Sequence, residues 1–319
     1  MFRSVLGFDW KKSPAHLLFL SKFRKPRATD DFSQSDTWKA VLKESPKKAI
    51  KRFLDEGLLE QASPNGLLDY KYKVSELKSM LKQRGLPVSG RKAELIERLV
   101  QADPEGMRKA TRGLSVLQCT EKGRTIAEEY LAQEKETRAK VEEQTLQALR
   151  QRRFKEASQV VAAFEAQQVF TRGIGIDWKH HNPAHDVAML KVIFRAKPKI
   201  LSSLNDEQMG HLRLAAGMMH LWGTDRAESW LPDGFEAGLI MDNDAAARMI
   251  LFYTSHQRSI AQYRAAGVRK VEILATDTSC AACKKLAKKK YKINEVPELP
   301  YEKCTSEMGC RCTTVVADF

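Results

Sequence analysis

Apolar residues recur at helical spacing in several stretches of the chain, separated by capping and breaking residues. Ser45-Pro46 sets a capping serine before a proline suited to the first helical position. The run KKAIKRFLDE that follows carries Ala49, Ile50, Phe53 and Leu54 on one face, and Gly57 ends it. A second compact pattern lies between Leu67 and Ala102, with Val74, Leu77, Leu81, Leu86, Leu95, Ile96 and Leu99 as its apolar set. Leu114 to Cys119 is short and strand-like, and Thr120 is placed to cap the helix TEKGRTIAEEYLAQ. From there to about Gln168 breakers are rare and charges alternate, which predicts a long solvated spacer helix or a helix that meets a protein partner. Residues 170–266 read as mostly helical. Gly267 closes the helix DAAARMILFYTSHQRSIAQYRAA, and VRKVEILAT predicts a strand. The residues up to about 33 follow no clear period.

These patterns predict a mainly α, multidomain protein. Residues 1–33 form a basic N-terminal segment, and 34–132 a domain with a compact unit inserted at 67–104. Residues 133–168 form a charged linker helix, 169–266 a helical domain, and 267–319 a cysteine-rich module. One internal echo stands out: GFDWKKSPAH from Gly7 and GIDWKHHNPAH from Gly175. Ser13-Pro14 and Asn182-Pro183 each read as a cap followed by proline, so two similar helix starts, each with a tryptophan behind it, explain the echo better than two copies of a docking element.

Charge changes the picture next. Lysine and arginine number 54 against 40 acids, a net charge of +14. Such an excess points to polyanions, most often nucleic acid. No run approaches the ~18 apolar residues a membrane helix needs, and the opening MFRSVLGFDWKKSPAHLLFL predicts no secretory signal, hence a cytoplasmic address and no membrane partner.

Residues 72–102 read YKVSELKSMLKQRGLPVSGRKAELIERLVQA. Ser75 is placed to cap a first helix, Gly85 to end it, Leu86-Pro87-Val88 to run extended, and Gly90 to open a second helix with Arg91 and Lys92 in its first turn. Over nearly its whole length this stretch resembles the SAP motif, a helix–extended–helix DNA-binding module. The resemblance implies duplex DNA as partner, A·T-rich and read by shape. The residue chemistry agrees. A helix N-terminus suits phosphate, Gly90 admits a close backbone, and Lys78, Lys82, Arg91, Lys92 and Arg98 add positive charge.

The flanking text, SPKKAIKRFLDEGLLE before and VLQCTEKGRTIAEEYL after, resembles the second helix, wing strand and closing helix of a winged helix, with the SAP-like unit in place of the wing. That resemblance puts Lys47, Lys48, Lys51 and Arg52 on a recognition helix. A plain helical domain from which the unit protrudes fits the same text.

Five of the six cysteines, Cys280, Cys283, Cys304, Cys310 and Cys312, crowd the last forty residues, while Cys119 stands alone. Cys280-x-x-Cys283 is a knuckle whose sulfurs can reach one ion, and two of the other three complete a closed, structural zinc site. Spacing leaves open which four bind, and an iron–sulfur cluster or free thiols are the alternatives. This end also resembles the C-terminal module of phage minor head proteins of the Mu F type. Asp277-Thr-Ser-Cys280-Ala-Ala-Cys283 and Gly309-Cys310-Arg-Cys312 carry the likeness, without that family's histidine before the last pair.

His180, His181 and His185 lie near Asp177, but Asn182-Pro183 starts a helix between them, so they read as surface or core residues. No phosphate-cradling glycine loop and no HExxH helix is present. The lysine run 284–292 is either a phosphate patch or a solvated face. The sequence thus predicts a DNA-binding protein with a structural zinc site and no enzymatic activity. A phage head protein is the alternative, and a metal-dependent nuclease using the histidines a second.

Overall fold

A computed structural model describes residues 9–33, 35–173, 175–223 and 227–317. The chain is mainly helical and divides into two compact units, Met1–Thr137 and Arg138–Phe319.

The first unit opens with a 3-10 turn at Trp10–Lys12, capped by the Asp9 carboxylate. Then follow α1 (Pro14–Ser21), β1 (Arg27–Ala28), α2 (Asp30–Ser33), α3 (Asp36–Leu42), α4 (Pro46–Asp55) and β2 (Leu59–Gln61). Four helices come before the next strand: α5 (Pro64–Lys71), α6 (Val74–Gln83), α7 (Lys92–Ala102) and α8 (Pro104–Ala110). Next, β3 (Val116–Cys119) returns between the first two strands and α9 (Glu121–Arg150) begins. The sheet order is β1-β3-β2, all antiparallel, with Leu59 opposite Cys119 and Arg27 opposite Leu117.

The N-terminal segment is not a separate basic stretch. Trp10, Phe19, Leu20 and Phe23 are buried and supply much of the core. Phe19 meets Phe32 at 5.1 Å, Trp38 at 4.8 Å and Phe53 at 6.2 Å, while Trp10 lies edge-on to Phe53 at 5.1 Å. Gly7 and Phe8, which open the first copy of the internal echo, lie outside the described residues. Its remainder matches the second copy locally: each aspartate caps a 3-10 turn that starts at the tryptophan, and a proline-led helix follows.

Helix α4 begins as the sequence implies, with the Ser45 hydroxyl accepting from the Lys48 N–H at 3.3 Å. Its buried face is Pro46, Ala49, Ile50 and Phe53. Leu54, expected on that face, is exposed, because it falls one residue past the stripe that meets the aromatic core. Thr120 caps α9 through a bond from the Gly123 N–H at 3.2 Å.

The segment expected as one charged linker helix over 133–168 is built differently. α9 is already helical at Glu121 and ends at Arg150; Arg152 takes a left-handed φ of 56°, and α10 (Phe154–Glu165) starts anew. Leu146, Leu149, Val161 and Phe164 are buried, so this stretch carries an apolar stripe that the alternating charges obscure.

The second unit continues with α11 (Ala184–Ile193), α12 (Asp206–Trp222) and α13 (Asn243–Ala265). Then come β4 (Lys270–Leu274), α14 (Ala281–Leu286), β5 (Lys290–Lys292) and β6 (Thr313–Val316), and the strands form an antiparallel sheet of order β5-β4-β6. Gly217 in α12 is the close-packing point of the helices: a Cβ there would press on Phe194, Leu149 and Leu190.

Candidate nucleic-acid interface and candidate metal centre

Helices α6 and α7 bury Leu77, Leu81, Leu95, Ile96 and Leu99 against one another, and Leu68 of α5 and Met107 of α8 close this small core. Val74, expected in the apolar set, is exposed at the first residue of α6. Ser75 is not the cap. The helix starts one residue earlier, and the Glu76 carboxylate accepts from the Lys73 N–H at 2.6 Å. Gly85 ends α6 at φ 68°. Gly90 does not open α7 but sits two residues before it at φ 118°, and Arg91 is the N-cap residue. The Glu94 carboxylate accepts from the Arg91 N–H and fills the place a Cβ on residue 90 would take. Glycine is therefore required here by backbone conformation and by the capping glutamate.

The positive side chains of this unit divide into two sets. Lys78, Lys82 and Arg91 are exposed and, among the described residues, pair with no carboxylate. Lys92 and Arg98, also expected as DNA contacts, make bonds within the fold. Lys92 Nζ lies 3.0 Å from Asp69 on α5, and Arg98 donates to the Pro87 and Ser89 carbonyls at 2.5 and 3.2 Å. Arg84 is likewise committed to Asp103, at 2.5 Å.

On α4, Lys47 and Lys51 are exposed. Arg52, expected beside them as a DNA contact, is turned to a half-buried ion pair, donating to both oxygens of Glu44 at 2.7 and 2.9 Å. The buried His16 ring meets the same carboxylate at 2.8 Å, and Lys48 approaches it at 3.7 Å. Burial pushes the Glu44 pKa up, but the bonds from Arg52 and His16 outweigh it and hold the carboxyl below its usual range.

The five C-terminal cysteines come together in the second unit. Cys280 is the N-cap of α14 and Cys283 lies in its first turn. Cys304 comes from the following loop, and Cys310 and Cys312 precede β6. Cys280, Cys283 and Cys304 have mutually close sulfurs, as do Cys283, Cys310 and Cys312, so Cys283 joins both groups. Two sulfur pairs, Cys280–Cys304 and Cys283–Cys310, are each 3.8 Å apart. Four thiolates at about 2.3 Å from one ion stand about 3.8 Å from each other, so these separations fit a tetrahedral site. They are far beyond the ~2.05 Å of a disulfide. Gly309 allows the approach of Cys310: at φ 71° it passes Met249, whose sulfur accepts the Cys310 N–H at 3.2 Å.

The electrostatics suit ligation. Bonds from the Cys304 and Cys312 thiols, against the opposing effect of burial, bring the Cys310 thiol far below its usual pKa. The hydrogen bonds that Cys304 and Cys312 give to Cys310, with burial and the Cys310 charge behind them, push those two thiols up, and burial pushes Cys283 to about 12. For Cys280, burial works upward, but the Thr305 and Cys283 N–H groups bring it down to about 6. A cluster that lowers two of its thiols, Cys310 and Cys280, while raising the other three needs a cation to ionise four of the five. Cys119 is not a member of this cluster: it lies in β3 of the first unit, and burial pushes it up to about 11.

The histidines expected near Asp177 do not converge. His180 meets Asp177 at 2.8 Å in an exposed turn, whereas His181 turns inward to Asp186 at 2.8 Å. Sequence reading missed the rest of that polar cluster: Asp186 also accepts from Ser158 at 2.6 Å and faces His220 at 3.2 Å. Nothing local signals it, since the three partners come from different elements.

A SAP domain is detected by its family model over residues 71–104. No curated protein and no solved structure matches the chain. Among the described residues no helix is long and apolar enough to cross a membrane.

Proposed function

We propose that the protein binds duplex DNA through its SAP domain, with Lys78, Lys82 and Arg91 on the phosphates. The single observation that carries this reading is the SAP match at 71–104 over three exposed cations that, among the described residues, pair with no carboxylate. The surrounding domain, residues 34–132 with α1 and β1 added, is a winged helix whose wing the SAP unit replaces. The order helix, strand, three helices (the first, α2, a single turn), strand, inserted unit, strand, with β3 between β1 and β2, supports it. In that reading Lys47 and Lys51 on α4 are a second phosphate contact, while Lys48 and Arg52 serve the Glu44 pair. The C-terminal cysteines hold one zinc ion, which ties α14 to the segments before β6. Its role is structural, because an all-thiolate tetrahedron leaves no open position for chemistry.

Fluorescence anisotropy on A·T-rich and G·C-rich duplexes at several salt concentrations tests the reading. With ~4–5 phosphates neutralised, log affinity should fall with log salt at a slope of about −4. A slope near zero overturns it.

A further inference from the structure

The second unit carries its own cluster of cations, which the SAP reading does not use. The turn between α9 and α10 reads Arg150-Gln-Arg152-Arg153-Phe154-Lys155, and the segment ending α11 reads Lys191-Val-Ile-Phe194-Arg195-Ala-Lys197-Pro-Lys199. Neither contains an acid, and a contact between Phe154 and Phe194, with ring centroids 5.0 Å apart, brings them together. Arg152 lies over the Phe194 ring at 5.4 Å, held there in its left-handed backbone conformation. Beside them opens a cleft of about 550 Å³, with Phe194, Leu214 and Trp230 among its walls.

Arg213 of α12 stands in that cleft. Its Nε and Nη2 donate to the Ala196 carbonyl at 2.9 and 2.6 Å, which fixes the basic segment and leaves Nη1 over. Among the described residues neither Arg152 nor Arg213 has a carboxylate within ion-pair distance. Of the acids nearby, Glu156 pairs with Arg153 at 2.6 Å, Glu143 with Arg150 at 3.6 Å and Glu207 with His211 at 3.9 Å, Glu298 accepts the Lys199 N–H at 2.8 Å, and Asp206 acts on Arg213 only through space, beyond ion-pair distance. A half-buried guanidinium without a counter-ion is costly, and an anion supplied from outside offsets that cost.

The geometry points to a second nucleic-acid contact here: a phosphodiester backbone crossing the α9–α10 turn and the end of α11, with one phosphate on Arg213. Guanidinium groups suit phosphate because their planar donors match its oxygens. The inference stands beside the SAP reading rather than on it, because the two surfaces share no residue.

The test is anisotropy of the full chain on a duplex and on a single strand of equal length. It compares wild type, R152E/R195E, K78E/K82E and the quadruple variant. Arg152 and Arg195 are exposed, so reversal leaves the core intact, which circular dichroism verifies. R152E/R195E should weaken binding at least tenfold and flatten the salt slope by about 2. The quadruple variant should lose binding that K78E/K82E retains. R213K, which keeps the charge but not the fork, should weaken binding severalfold. Affinity and slope unchanged by R152E/R195E, in both the wild-type and the K78E/K82E background, overturn this surface and leave the SAP reading standing. Unchanged binding by K78E/K82E alone fails the SAP reading and leaves this one. Equal loss of affinity for polyglutamate and for DNA also overturns it, since the patch would then be indifferent to phosphate.

Discussion

Glu94 accepts the backbone N–H of Arg91 at 3.1 Å, so the start of α7 carries its own carboxylate where a phosphate would otherwise dock. The proposed phosphate contacts in this unit are therefore the side chains of Lys78, Lys82 and Arg91 rather than the bare helix end. Gly90→Ala should cost about 1–2 kcal/mol of SAP stability, since alanine resists φ 118° and its Cβ displaces the Glu94 carboxylate. Thermal unfolding checks this, and an unchanged midpoint would exclude the capping role.

The two sets of cations should separate by experiment. Arg91→Ala and Lys78→Ala should each reduce the salt slope by about 1 without changing stability. Lys92→Ala and Arg98→Ala should instead lower the melting temperature, because they break the Asp69 pair and the bonds to the Pro87 and Ser89 carbonyls. Parallel melting and anisotropy series tell the classes apart.

Purified protein should hold about one zinc per chain by elemental analysis. Cys283→Ser, at the sulfur common to both groups, should abolish metal and loosen residues from about 270 onward by hydrogen exchange. The SAP unit, which lacks cysteine, should still bind DNA. Cys119→Ser should keep the metal. Because ligand thiols must lose protons, zinc affinity should fall as pH falls, and titration with a chelating dye at pH 8 and pH 6 measures it.

Acid should destabilise the second unit through Asp186. Burial raises its pKa, but bonds from His220, Ser158 and His181 outweigh this and hold it well below the ordinary value. A carboxyl depressed on folding stabilises the native state above its unfolded pKa of ~3.9, and that stability drains away as pH falls below it. Asp186→Asn should lower the melting temperature at pH 7 and shrink the loss seen between pH 5 and pH 3. An acid transition identical in the variant would assign that loss to other groups.

Legibility followed sequence distance. The α4 cap at Ser45, strand β3, the Thr120 cap and the α6–α7 pair are set by neighbours a few residues apart, and sequence pattern exposes such signals. The aromatic core around Phe19 draws on Trp10, Phe32, Trp38 and Phe53, whose pairing needs the chain to return on itself. The same holds for the ties of Asp186 to Ser158 and His220. Composition identified the cations as a set, but charge cannot tell Arg91, which is exposed, from Arg98, which braces a loop. That division is made by carbonyls and carboxylates several turns away.

The strand pair that frames the SAP unit has a kinetic consequence. Gln61 and Leu117 face each other across the sheet, and the Ala62 N–H bonds the Val116 carbonyl at 2.8 Å, so everything between them enters and leaves at one point. If those residues were slack chain, closing the hairpin over them rather than over a turn of ~4 residues would cost about 2 kcal/mol of extra entropy. A unit with its own core escapes that penalty, because folding first brings its two ends to the spacing the strands need. The inserted module is in this sense a clasp: it can form early, and once formed it lets β2 find β3 as quickly as neighbours in an ordinary hairpin.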